Sequence, residues 1–273
     1  MTIKAMSDKD YFADPAVDQS GLKQWMISPA KYVASLEQPG DSPVLRLGSL
    51  IHAHVLGTDV DGYVAKPDMR TKIGKAKASE LMEQGKTLVP QDDLILSGNM
   101  AEVTAPLFDH AQGKAEQAIF EDYKGLTLKG KYDWLPSEPD DDGVLRIVDY
   151  KTTADATEFA YHAWKYGYHI QAAYYMMLYR LEGYNGFLGF RFIAQEKTAP
   201  YDYMVYDTDE TQPEIQLASQ RIGKALSEMA AMGVGAPGWR DRLKGSGYDH
   251  KPRDLRFSDW QLADEDTKTE PAF

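Results

Sequence analysis

The segment Val144-Leu-Arg-Ile-Val-Asp149-Tyr150-Lys151-Thr-Thr153 is a short apolar run that ends in a carboxylate and an amine two residues apart. Side chains of an extended chain alternate in direction, so Asp149 and Lys151 leave one face of this strand and Tyr150 leaves the other. An anion and a cation then stand side by side at a strand end. Such a pair suits phosphodiester hydrolysis, in which a carboxylate holds a divalent cation and an ammonium orients water or offsets developing negative charge.

The tripeptide alone decides little, because Asp-x-Lys recurs at Asp122-Tyr123-Lys124 and at Asp266-Thr267-Lys268. Asp266 lies in a polar tail, and Asp122 precedes Gly125, where a hairpin turn is the simplest reading. Only Asp149 follows a buried-looking strand. Upstream, Leu126 to Leu135 alternates like a second strand and carries Asp133, while the Pro- and Asp-rich stretch 136–143 is suited to fold the chain back. Pairing of the two strands brings Asp133 to Asp149, so two carboxylates and Lys151 share a corner.

Working outward, the pattern predicts helices starting near Ser20 and at Ser28-Pro29, and a mostly apolar helix from Pro43 to Leu56. A basic loop, Arg70-Thr-Lys72-Ile-Gly74-Lys75-Ala-Lys77, leads into a charged helix, and a longer helix runs from Gln91 to His110. Three strands follow, Gln117 to Tyr123, Leu126 to Leu135 and Val144 to Tyr150, then one long helical region from Ala156 to Glu182. Strands Phe187 to Ala194 and Tyr201 to Tyr206, a helix from Glu214 to Met232 and an irregular C-terminus complete the chain. This order predicts an α/β fold, a mixed β-sheet flanked by helices, as a single domain over 1–260 with N-terminal helical additions. Residues 261–273 read as a polar, flexible tail.

The formal charge of −12 argues against coating nucleic acid by bulk electrostatics. A nuclease stays compatible with it, since carboxylates of a metal site count as negative in that sum. Two stretches are locally basic. One holds Lys66, Arg70, Lys72, Lys75, Lys77 and Lys86 against Asp68, Glu80 and Glu83, and the other runs from Arg240 to Arg256. Each is a candidate DNA-facing rim or a solvated surface; Arg70, Lys72 and Lys75 are the residues expected to grip the DNA backbone. The 273 residues contain no cysteine, which excludes disulfides, thiolate zinc and a cysteine-bound iron–sulfur cluster. With no apolar run of membrane-spanning length and no secretory leader pattern, a soluble cytoplasmic protein without membrane contact is expected. A Gly-x-Ser-x-Gly elbow and a Gly-x₄-Gly-Lys-Ser/Thr phosphate loop are both lacking, so no covalent intermediate is called for.

Two further spacings point at the corner. Gly48-Ser-Leu-Ile-His52 places an imidazole on an otherwise apolar helix, and Gln171-Ala-Ala-Tyr-Tyr175 places an amide and a phenol on one helical face. From the helices alone, His52 reads more readily as a core residue than as a ligand, and Tyr168, Tyr175 and Tyr179 as a packed aromatic stripe.

The succession Gly48…His52, Glu116, Gly130-Lys-Tyr-Asp133, Asp149-Tyr-Lys151 and Gln171…Tyr175 resembles the PD-(D/E)xK nuclease superfamily in its RecB-like branch. Within that branch it is similar to the RecE-type (exonuclease VIII) phage and prophage exonucleases. Ser20-Gly-Leu, Ser28-Pro29, Arg70-Thr-Lys with Gly74-Lys75, Glu196-Lys197…Pro200-Tyr201 and Gly238-Trp239 extend the likeness over most of the chain. The full-length bacterial members carry a long N-terminal extension, so the chain resembles their nuclease domain alone.

This resemblance implies that His52, Asp133 and Asp149 bind the metal, with the Tyr150 carbonyl as a further ligand and Lys151 as the catalytic ammonium. Glu116 matches an acid beside the same site, as a ligand or as a base behind the ligands; Gln171 and Tyr175 support the site or touch the DNA backbone. It implies one or two Mg²⁺ or Mn²⁺ ions, for which carboxylates with a single imidazole are suited. The implied substrate is linear double-stranded DNA digested 5′→3′ from its ends without ATP, leaving 3′ single strands for a single-strand annealing protein. A ring-shaped homo-oligomer in the cytoplasm of a bacterial host is implied in the same way. A structure-specific or CRISPR-adaptation-like endonuclease of this superfamily, and a non-catalytic DNA-binding protein on the same fold, stay open as rivals.

Overall fold

The computed structural model describes residues 3–37 and 42–253. The third Asp-x-Lys at Asp266, the end of the second basic stretch and the tail over 261–273 lie outside the described residues. The chain opens with β1 (Lys4–Ala5) and four helices, α1 (Asp8–Ala13), α2 (Gln19–Ile27), α3 (Pro29–Glu37) and α4 (Pro43–Leu56). Then come β2 (Tyr63–Ala65), α5 (Lys72–Glu83), β3 (Thr87–Val89) and α6 (Gln91–Thr104), followed by β4 (Gly113–Tyr123), β5 (Leu126–Pro136) and β6 (Val144–Thr153). The last part holds α7 (Phe159–Lys165), α8 (Tyr168–Leu181), β7 (Phe187–Glu196), β8 (Tyr203–Asp209), α9 (Pro213–Ala231) and α10 (Trp239–Leu243).

Six strands form one sheet in the order β1-β4-β5-β6-β7-β8, parallel only between β6 and β7; β2 and β3 make a small parallel pair elsewhere. The expected mixed sheet flanked by helices is therefore present. Lys124 and Gly125 both take positive φ, 53° and 79°, in the two-residue turn between β4 and β5, the geometry that matches strand twist in a tight hairpin. Helices cover both faces. On one, Leu145 and Ile147 of β6 pack with α2, α3, α8 and α9 through Leu22, Tyr32, Tyr174 and Ile222. On the other, Val148 and Tyr150 pack with Ile51 and Val55 of α4 and Met100 of α6. The alternation of β6 thus feeds two cores.

Local sequence explains the boundaries. Ser42 caps α4 by accepting the Leu45 N–H at 3.2 Å, Pro43 fills its first turn, and Gly57 closes it in the left-handed region at φ 65°. The region read as one helix from Ala156 to Glu182 is two, because Gly167 at φ 67° breaks it. The basic stretch read as a loop from Arg70 to Lys77 is helical from Lys72 onward, since Thr71 accepts the Gly74 N–H at 2.9 Å and nucleates α5 inside it. The helix drawn to His110 stops at Thr104, and the C-terminus called irregular contains α10.

At Gly130 α8 packs tightly on the sheet: a Cβ there meets the buried Leu178 Cδ1 at 2.6 Å. Gly130→Val is expected to destabilise the protein by roughly 1–3 kcal/mol through overpacking, read as a lower urea midpoint at unchanged slope. A midpoint equal to the parent's means that α8 lifts away without cost.

Candidate active site

The site forms where β5 and β6 part. The strands share the pair Trp134↔Val148, which by register puts Asp133 opposite Asp149. On the other side of β5, the flanking pairs Ala115↔Trp134 and Gln117↔Tyr132 put Glu116 opposite Asp133. Glu116, Asp133 and Asp149 therefore stand in a row across three adjacent strands. Like charges directly opposite one another repel, so this row needs cations. Glu116 is also held at φ 55°, a conformation rarely adopted outside glycine and one that tends to persist at functional sites.

Because the ladder ends at Val148, the Tyr150 N–H is free to donate to Asp133 Oδ2, at 2.8 Å. The Tyr150 carbonyl faces the same strand edge, since a strand residue presents its N–H and C=O to one side. Its side chain points to the opposite core, where the hydroxyl donates to Gln195 and the ring meets His52 edge-on at 5.2 Å. From α4, His52 Nδ1 lies 3.5 Å from Asp133 Oδ2. One ligand atom each from His52, Glu116 and Asp133 falls within 4.8 Å of the others.

Asp149 sits one layer deeper, only 2% exposed. Its Oδ1 accepts from Gln171 Nε2 at 2.6 Å and its Oδ2 faces the Lys151 ammonium. The same-face reading of Asp149 and Lys151 is thus realised, and Gln171 holds the acid in place. Tyr175 lines the cleft below, its ring edge-on to Tyr132 at 5.3 Å.

Burial raises Asp149 to about 6, helped by the Asp133 charge and opposed by Lys151. Burial likewise raises Asp133 and Glu116. His52 is lowered by burial and by Lys151, which favours the neutral imidazole that a metal requires. Burial alone lowers Lys151, but Asp149 and Asp133 outweigh it and keep the ammonium charged. The carboxylates of Glu116 and Asp133 with the His52 imidazole form a hard, oxygen-rich donor set that fits Mg²⁺ or Mn²⁺, with the buried Asp149 behind them.

These groups open into a cleft of about 1090 Å³ that takes in Gly48, His52, Glu116, Asp133, Lys151 and Tyr175. Lys131 was quoted in the motif but given no role; it bridges Glu116 and Asp8, the latter at 2.6 Å. Burial lowers this ammonium while Glu116 and Asp8 more than restore it, so the residue is a fixed positive charge beside the acids. The period-two rule that selected Asp149 with Lys151 also pairs Lys131 with Asp133 on β5, and could have found it.

The chain was compared with known proteins. A family model described as a PDDEXK-like domain of unknown function (DUF3799) matches residues 19–234, a span that contains His52, Glu116, Asp133, Asp149, Lys151 and Gln171. The chain belongs to this family. A crystal structure of a candidate exonuclease from Eubacterium rectale superimposes with a TM-score of 0.61 over 95% of this chain and 98% of the other, at 15% identity. That likeness shows a shared fold. A second structure, named SSO0001, aligns over 68% of this chain and 85% of its own at 11% identity, with a TM-score of 0.31. No curated protein matches the chain.

Within this PDDEXK-like framework the remaining expected residues stand apart. Arg70, Lys72 and Lys75 are exposed and do not line the cleft; Arg70 is engaged by Asp68 through contacts of 3.0 and 3.2 Å. Among the described residues, no helix is long and apolar enough to cross a membrane.

Proposed function

We propose that the protein is a divalent-metal-dependent exodeoxyribonuclease that hydrolyses linear double-stranded DNA from its ends, 5′→3′ and without ATP, leaving 3′ single strands for an annealing protein. The observation that supports this reading best is the carboxylate row Glu116-Asp133-Asp149 closed by His52 and by the Lys151 ammonium at the base of an open cleft. Mg²⁺ or Mn²⁺ at the row supplies Lewis-acid polarisation of a phosphate and acidification of water. The protein's part is positional. Asp133 is fixed by the Tyr150 N–H, Asp149 by Gln171, and Lys151 is kept charged to meet the negative charge that develops on the phosphoryl oxygens. Arg70, Lys72 and Lys75 act outside the cleft as backbone contacts; replacing all three by Ala is expected to weaken duplex binding and flatten its salt slope.

Digestion of linear duplexes labelled at the 5′ or the 3′ end, with Mg²⁺ or with EDTA, tests metal and direction together. Loss of 5′ label first, only with metal, is the expected result. Cleavage of a closed circular plasmid instead points to the endonuclease rival. Asp122→Ala, in the second Asp-Tyr-Lys, is expected to keep most activity, because Asp122 is exposed at the hairpin end and accepts from Thr127 at 3.1 Å. A dead Asp122 variant relocates the site.

A further inference from the structure

The catalytic row does not use a line of aromatic rings that leaves the cleft beside Lys151. Tyr168 lines the cleft, with the Lys151 ammonium 5.2 Å from its ring centre. Tyr166 follows at 6.1 Å from Tyr168, His162 stacks on Tyr166 at 6.0 Å with planes 19° apart, and Tyr161 stands 5.6 Å beyond His162. Gly167 permits this succession: its left-handed φ of 67° ends one helix and starts the next, which turns Tyr166 and Tyr168 to neighbouring positions. Large aromatics are normally buried, yet Tyr161 is 61% and Tyr166 53% exposed. Both rings lie outward from Tyr168, which lines the cleft.

Cations accompany the rings. The Lys165 ammonium is 5.7 Å from the Tyr166 ring centre, and the Lys23 ammonium donates to the Tyr166 carbonyl at 3.3 Å. Glu158, at the N-cap of α7, and Asp155 ahead of it lie at the other end of that helix from Lys165. Rings interleaved with ammonium groups are what a single strand needs, since every base offers a face for stacking and every linkage carries a charge.

We propose that Tyr166 and Tyr161, leading outward from Tyr168, form a stacking path for one unpaired DNA strand at the mouth of the cleft. This rests on the nuclease reading of the site. It assigns the path to the strand that is separated from the duplex at the cutting point, held through its bases without regard to sequence. A protein surface is the competing occupant, and the test separates the two.

The experiment measures anisotropy of a fluorescein-labelled single-stranded oligo(dT) in EDTA, where no cleavage occurs, with the parent protein and with Tyr161→Ala/Tyr166→Ala. Loss of base stacking on an aromatic ring typically weakens binding by roughly 5- to 150-fold per base, so a drop of at least about 10-fold is expected in the double variant. Tyr161→Phe/Tyr166→Phe is expected to bind like the parent, because stacking needs the ring and not the hydroxyl. Both positions are exposed, and equal melting curves check that the variants fold. Parent-like oligo(dT) affinity in the Ala variant, or no binding by the parent, overturns the path and leaves the rings as a protein contact. End-labelled duplex digestion by the parent in Mg²⁺ is run alongside. Digestion with an unaffected Ala variant sinks the path alone, whereas ring-dependent oligo(dT) binding without any digestion sinks the nuclease reading alone.

Discussion

Lys151→Ala is expected to slow DNA cleavage by about 10² to 10³-fold, the usual loss when one preorganised electrostatic contact to a transition state is removed. Mn²⁺ binding by the variant should persist at alkaline pH, because the ammonium is not a ligand. Its pH dependence, however, should shift. Burial raises Asp149 to about 6 and raises Asp133, while Lys151 pulls both down. A carboxylate with a raised pKa is ionised only above that value, so the parent holds metal above about 6 and loses affinity as pH falls through it. Without Lys151 both acids rise further, and the loss sets in at higher pH. Calorimetric titration with Mn²⁺ across about pH 5 to 9 reads the midpoint, and single-turnover cleavage reads the rate. A variant with parental rate, or a midpoint that moves to lower pH, contradicts the role given to Lys151.

Asp149→Ala is expected to lose both cleavage and Mn²⁺ affinity, for a different reason. Asp149 is the deepest member of the carboxylate row, and its Oδ2 is turned to Lys151. Deleting it removes one negative charge from the donor set and leaves the Lys151 ammonium to face the remaining acids alone, which places a cation where a metal should bind. Outer partners of metal ligands commonly cost 10- to 100-fold in affinity when removed, so a direct ligand should cost more than about 100-fold. Gln171→Leu isolates the support: it leaves the charge and removes only the 2.6 Å contact, and should fall within that smaller range. Unchanged Mn²⁺ affinity in Asp149→Ala would falsify its place among the ligands and leave it as the counter-ion of Lys151.

Much of the sheet could be read from the chain because its strands alternate cleanly. The β4–β5 hairpin followed from Lys124-Gly125, and β6 from the apolar run before Asp149. The helix from Pro43 to Leu56 was legible from its apolar pattern, and its ends are fixed locally, by Ser42-Pro43 and Gly57. Errors arose where one residue changes the backbone. Gly167 splits a region whose apolar pattern continues across it, and Thr71 starts a helix inside a stretch whose charges suggested a loop. Alternation puts Lys131 on the face of Asp133, but its partners Glu116 and Asp8 come from other elements that only the fold brings to it.

The sequence by itself determined which side chains leave one face of β6, since alternation is a property of the extended backbone and puts Asp149 with Lys151 whatever surrounds them. It determined, too, that the 273 residues offer no thiol, since no cysteine is among them. Tertiary structure alone decided that Glu116, Asp133 and Asp149 fall in one row, because strand register depends on pairings between segments distant in sequence. It also decided that His52 faces the row and that Arg70, Lys72 and Lys75 stand outside the cleft, for a helix pattern gives its buried face but not which neighbour that face meets. Burial completes the site: only the packed fold removes water from these acids, and that desolvation raises Asp149 and leaves the row in need of a cation.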